Sequence, residues 1–213
     1  MDAVVRFLRA RRWARIALSG LSAVLLIGAV GLLGYPLYTN VSQHRIQQRL
    51  THQFASPEFK QTYKTQQQPK VGDALTRIKI AKINLDVVVV EGTTPSALKA
   101  GAGHYPATPL PCADGNVAIA GHRTTYGKPF ANVDQLKPGD TIELDTPLGS
   151  CVYSVSQAPF VVLPDGKMAN GKSVVDNTPG QHVLTLTSCH PKGSASHRIV
   201  IRATLVKGLS GSA

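Results

Sequence analysis

Between Ile16 and Tyr38 the chain reads IALSGLSAVLLIGAVGLLGYPLY, 23 residues without a charge. No other feature constrains it as much. As a helix the run spans roughly 34 Å, enough for the hydrocarbon core of a bilayer. Arg6, Arg9, Arg11, Arg12 and Arg15 precede it against one acid, Asp2. By the positive-inside rule they keep the N-terminus cytoplasmic, with Tyr35 and Tyr38 suited to the far interface. A cleaved signal peptide is the competing reading. The run is too long for an h-region, however, and no small-x-small site follows in YPLYTNVSQ. The expectation is a retained single-pass anchor in the cell membrane, with the rest of the chain extracellular.

The remainder divides by composition. Residues 39–74 are polar and Gln-rich, as in SQHRIQQRLTHQF and KTQQQPKVGD. Ile46, Leu50 and Phe54 recur every fourth residue and predict a short amphipathic helix. The rest of this stretch reads as a tether. From Leu75 the pattern changes to short β-branched runs separated by Gly, Pro, Asn and Asp. TRIKIA, LDVVVVEG, NVAIAGH, DTIELDT, CVYSVSQ, FVVL, HVLTLTSC and RIVIRATLV make about eight strands. TPSALKAG reads as a short helix, capped by Thr94, opened by Pro95 and closed at Gly101. An all-β closed barrel or sandwich is the expected architecture. The segment from Pro164 to Gly180 is a long loop, of a length that is often functional. The expected division is a basic tail 1–15, an anchor 16–38, a tether 39–74, a folded domain 75–207 and a tail 208–213. The net charge of +11 raises nucleic acid as a partner. The basic residues beyond the tail are scattered, aromatics are sparse, and no stacking or groove-reading element is present, which argues against it.

Strand alternation places the chemistry. In NVAIAGH, Val117 and Ile119 face the core, so Ala118, Ala120 and His122 take the other face. In HVLTLTSC, Leu184 and Leu186 point inward and Thr185, Thr187 and Cys189 outward. In RIVIRATL, Ile199, Ile201 and Leu205 are core, and Arg198 and Arg202 share the outer face. His122, Cys189 and Arg198 therefore stand at strand ends and leave the core together. A thiolate attacks a carbonyl, an imidazole protonates the departing amine, and a guanidinium offers fixed donors to the oxyanion. His190 adjoins Cys189 but points to the opposite face. Cys112, Cys151 and Cys189 are too far apart for a zinc ribbon and contain no C-x-x-C pair. No His, Cys or carboxylate cluster suggests a metal, and no cofactor is expected. In an exported protein Cys112 and Cys151 can form a disulfide tying the loop before NVAIAG to the strand CVYSVS. Whether their Cα atoms come within about 7 Å stays open in the sequence.

These residues resemble those of the sortases. TLTSC is similar to the family's T-L-x-T-C motif, with Ser188 where Thr is usual. AIAGHR resembles the segment carrying the catalytic His, and FANVDQLKPGD resembles the family's next segment along the chain. Arg198, nine residues after Cys189, matches the catalytic Arg. The resemblance runs from about Thr76 to Leu205 and implies an eight-stranded sortase-type β-barrel. It implies that Cys189 is the nucleophile, His122 the general acid and base, and Arg198 the stabiliser of the oxyanion. Thr185, Thr187 and Ser188 would lie in or near the substrate groove. The implied partners are exported proteins with a sorting signal cut between Thr and Gly, and a peptidoglycan precursor amine. GHYPATPLP, GHRTTYGKPF and SCHPKGSA are similar to the class E sortases of actinobacteria, which implies an L-A-x-T-G signal rather than L-P-x-T-G. Ala has a backbone N–H that Pro lacks, and Tyr105 is the expected acceptor for it. Pilin-polymerising relatives often carry a lid and a second membrane helix, so the ending KGLSGSA favours a housekeeping role. A non-catalytic surface β-module would fit the fold and anchor without chemistry. An L,D-transpeptidase is disfavoured because its S-H-G-C-x-R type motif is absent.

Overall fold

The computed structural model describes residues 12–64 and 69–210. Most of the basic tail, the TQQQ of the expected tether and the last three residues lie outside the described residues. The chain divides into two units, one ending at Thr39 and the other beginning at Asn40.

Helix α1 runs from Arg12 to Phe54 without a break, although Pro36 lies inside it. Pro36 removes one backbone donor, and its carbonyl accepts from the Thr39 hydroxyl at 3.0 Å. In the first unit the apolar run leaves its large side chains exposed, Leu32 and Leu33 among them. The helix is long and apolar enough to be a candidate membrane span.

In the second unit α1 is no tether. Ile46, Leu50 and Phe54 form the expected stripe and pack on Ala74, Val88, Val90, Ala97 and Ala100. Gln47 supplies the polar half of this dock. Its Oε1 accepts from Val88 N at 2.9 Å, and its Nε2 donates to the Val88 and Ala100 carbonyls at 2.9 and 2.8 Å. A side-chain amide thus takes the place of a neighbouring strand for Val88. Helix α2, Pro57–Lys64, comes at once after it, with Ser56 accepting from Phe59 N. Its Phe59 ring packs 5.5 Å from Phe54.

The strands are β1 Ala74–Ile80, β2 Leu85–Glu91, β3 Ala102–His104, β4 Gly115–Gly121, β5 Thr141–Thr146, β6 Gly149–Val155, β7 Phe160–Val162, β8 His182–His190 and β9 His197–Ser210. Helix α3, Pro95–Ala100, joins β2 to β3 with the expected Thr94 cap, whose hydroxyl accepts from Ala97 N. Eight strands close a barrel in the order β6-β5-β1-β2-β3-β4-β8-β9, with β9 pairing back to β6. β7 lies outside this ring and pairs with the first residues of β9, while β6 takes the later ones. All eight expected strands are present. The ninth is β3, three residues long and centred on a glycine. Two pairs, β2–β3 and β4–β8, are parallel.

The barrel interior holds Val117, Ile119, Leu184, Leu186, Ile199 and Ile201 as alternation requires, with Ile78, Ile142, Leu144 and Tyr153. The outer face departs from expectation. Ala118 and Thr185 are buried as completely as the core, because loops cover β4 and β8. The 163–181 loop is held there by Asn116, whose Nδ2 donates to the Val174 and Asp176 carbonyls at 3.0 Å each. Arg202 reaches the same Val174 carbonyl at 3.1 Å. Cys112 and Cys151 form a disulfide with Cα atoms 5.9 Å apart, tying the loop before β4 to β6.

Candidate active site

Three strand ends meet at one rim of the barrel. Cys189 on β8 and Arg198 on β9 are direct antiparallel partners. Side chains of paired residues share a face, so the thiol and the guanidinium are neighbours. β4 lies on the other edge of β8, in parallel register from Gly115–His182 to Ala120–Thr187. Continued by two residues, that register sets His122 beside Cys189. Ser188 holds the alignment past the last paired residues by donating its hydroxyl to the Gly121 carbonyl at 2.7 Å. Gly121 allows a close approach, since a Cβ there would lie 2.6 Å from the buried Phe130 ring. His190 pairs with His197 on the opposite face from Cys189.

The rim residues differ in environment. Cys189 is free and partly exposed. His122 is partly buried, and the loss of hydration lowers its pKa below the ordinary histidine value. Its ring packs on Tyr126 with centroids 5.2 Å apart and planes at 40°. Arg198 donates through Nη1 to the Ala195 and His197 carbonyls at 3.1 and 3.0 Å, so the turn before β9 fixes one end of its guanidinium.

Tyr105 lies at this rim, its hydroxyl 3.0 Å from that of Thr187, two residues before Cys189. The other two expected groove residues do not reach it. Thr185 is fully buried and donates to Asn116 Oδ1 at 2.6 Å, beneath the loop. Ser188 is turned to the core side with its hydroxyl committed to Gly121. Both depart from the sequence reading, for different reasons: a loop covers Thr185 on the outer face, whereas Ser188, next to Cys189 in the strand, faces inward by alternation.

Two further groups were missed. Arg123, only 3% exposed, donates from Nε to the Ala131 carbonyl at 3.0 Å. It also donates from Nη1 to the Cys189 carbonyl at 3.4 Å and pairs through Nη2 with Asp134 at 2.9 Å. It joins the backbone of Cys189 to the loop after His122. His104 is buried, with Nδ1 2.8 Å from Glu91 and Nε2 2.9 Å from the Pro109 carbonyl. Thr108, 3.0 Å from the same Nε2, donates to the Tyr105 carbonyl at 2.8 Å and so ties this pair to the loop presenting Tyr105. The neighbouring sequence carries no signal for either group, because the partners lie on other elements. Among the described residues no group of three or more His, Cys, Asp or Glu is placed to hold a metal ion.

Comparison with known proteins bears on this geometry. The family model described as Sortase domain matches residues 78–206. Over 150 residues the chain is 31% identical to sortase SrtE1 of Streptomyces coelicolor, covering 64% of this chain and 41% of that protein. The chain thus spans less than half the length of that curated relative. A solved Clostridium perfringens sortase D5 transpeptidase has a TM-score of 0.64 and 28% identity, over 77% of this chain and 98% of that one. The crystal structure of sortase E1 from Streptomyces coelicolor with a tripeptide in its active site has a TM-score of 0.55 and 27% identity, over 65% of this chain and 91% of that one. The family match covers more than half of the chain, and with it the whole rim of Cys189, His122 and Arg198: this chain belongs to the sortase family.

Proposed function

We propose that the chain is a cysteine transpeptidase that cuts a sorting signal between Thr and Gly and passes the new C-terminus to an amine of a cell-wall precursor. One observation carries the reading: the free thiol of Cys189 stands directly opposite Arg198, with His122 next to it by register. The thiolate attacks the Thr carbonyl, forming a C–S bond, and the C–N bond to Gly breaks as His122 delivers a proton to the leaving amine. The incoming amine then attacks the thioester. An amide forms, the sulfur leaves, and His122 takes the amine's proton. Arg198 holds the developing oxyanion with the nitrogens not engaged by the turn. The apolar helix keeps the catalytic domain at the outer membrane surface, where both substrates meet.

The same reading gives the signal as L-A-x-T-G. In this reading the Tyr105 hydroxyl, 3.0 Å from that of Thr187, accepts the N–H of the Ala residue on one of its lone pairs. Proline offers no such donor and leaves that acceptor unpaired. The test is cleavage of L-A-x-T-G and L-P-x-T-G peptides by the purified full chain, with mass spectrometry of the trapped acyl-enzyme. The expected thioester is on Cys189 and is lost in Cys189→Ala. Cleavage that survives in Cys189→Ala overturns the mechanism. In competition the wild type should prefer the Ala peptide, and Tyr105→Phe should lose about 0.5–1.5 kcal/mol of that preference, roughly twofold to tenfold in the kcat/KM ratio. Equal use of both peptides by the wild type removes the signal assignment alone.

A further inference from the structure

The loop after β4 carries the His122 ring, and it is held at two places. At its stem Phe130 N donates to the His122 carbonyl at 3.1 Å. At its tip Gly127 N donates to Asn40 Oδ1 at 3.1 Å, on α1. The tip is built for that contact. Gly127 has φ +72, a left-handed conformation that glycine adopts without strain, and a Cβ there would collide with the buried Gln43 amide, Oε1 first. Tyr126, with φ +50, lies between this contact and the site, its ring against His122. The same helical edge also reaches α3, where the Ala100 carbonyl accepts from Gln43 at 3.4 Å and from Gln47 at 2.8 Å. Lys99, next to Ala100, places Nζ 5.9 Å from the centroid of the Tyr126 ring. Asn40, Gln43 and Gln47 therefore bear on both elements that surround the Tyr126 ring.

We propose that the Asn40–Gln47 edge of α1 is a brace for the proton-transfer site, and that Tyr126 is the positioning residue through which it holds the His122 ring. The inference deepens the reading of His122 as general acid and base and rests on it. The helix that carries the apolar segment is thus joined to the imidazole by a short series of contacts, α1 to Gly127, Tyr126 to His122. With the brace in place His122 stays partly dehydrated, which favours its neutral form. Releasing the loop rehydrates the ring and moves its titration upward, toward about 6.5. The charged and titratable groups around the ring are Tyr126 against it, Cys189 beside it by register and, across the strand from Cys189, Arg198. Lys99 lies beyond Tyr126, and Arg123 is adjacent in the chain but turned to Asp134.

The experiment monitors the His122 imidazole by NMR in the full chain in nanodiscs, identified by its loss in His122→Gln, across a pH titration. Peptide turnover is measured on the same samples. In Gly127→Ala and Tyr126→Ala the His122 titration should rise, and kcat should fall by about threefold or more with KM little changed, as expected for a misplaced catalytic group. Asn40→Ala, which removes only an exposed acceptor, should move both in the same direction by less, and it keeps the test open if Gly127→Ala fails to fold. Gln48→Ala, on the same helix but outside these contacts, should move neither. A His122 titration unchanged in folded Tyr126→Ala and Asn40→Ala overturns the brace. A titration that rises while turnover stays constant supports the brace and overturns the role of His122 in catalysis.

Discussion

Arg123 carries a buried positive charge between three elements: the end of β8, the loop at Ala131 and the 3-10 turn bearing Asp134. Arg123→Met should cost about 2 kcal/mol in urea unfolding, below the 3–5 typical of a broken buried pair because Asp134 is 41% exposed. Thioester formation should slow as well, since the Cys189 carbonyl loses its donor. Arg123→Lys should restore only part of either, because an ammonium cannot imitate a planar fork reaching three ways. Unaltered unfolding and acylation in Arg123→Met would show that the buried charge does neither. The sequence made the residues of the rim legible but not their supports. His122, Cys189 and Arg198 share a face because alternation is local, two residues at a time. Arg123 resembles any basic residue beside a histidine until Asp134 is brought to it.

At the scale of elements, β-branched runs marked eight strands correctly, since each advertises itself within a few residues. β3 did not, because AGH has neither length nor β-branching, and its place comes from pairing with β2 and β4. The second half of α1 shows the opposite case. Its apolar stripe was visible, but its docking was not, because Gln47 looks like a solvated residue until its partners on β2 and α3 are known. Three hydrogen bonds converge on that one side chain. Gln47→Ala should therefore lower stability by about 3 kcal/mol, near the net worth of three such bonds. Hydrogen exchange should show Val88 and the end of α3 losing protection before the rest of the barrel. Uniform loss across the barrel would mean that helix and barrel unfold as one unit, with no separate dock.

The closed barrel leaves β9 shared along one edge by two partners, β7 near Arg198 and β6 beyond it. The Cys112–Cys151 disulfide adds a covalent tie across a sequence separation of 39 residues. Chain-entropy arguments give such a link about 4 kcal/mol. Reduction should lower the thermal midpoint accordingly, and thiol titration of the denatured chain should count one free group before reduction and three after. Three free groups before reduction would remove the bond. The parallel pairing of β4 with β8 has another consequence, for the time at which the chain becomes reactive. His122 and Cys189 are 67 positions apart in the sequence, and they become neighbours only when β8 inserts between β4 and β9. Such long-range pairings place assembly late, on a scale of roughly milliseconds to seconds for β-rich domains. In a chain that emerges N-terminus first, Cys112 and Cys151 are both available before Cys189 appears, so the structural thiols can find each other before the third arrives. A chain still emerging therefore holds the imidazole of His122 without the thiol that the proposed chemistry needs, and the pair exists only once β8 is in place: reactivity is the last product of folding.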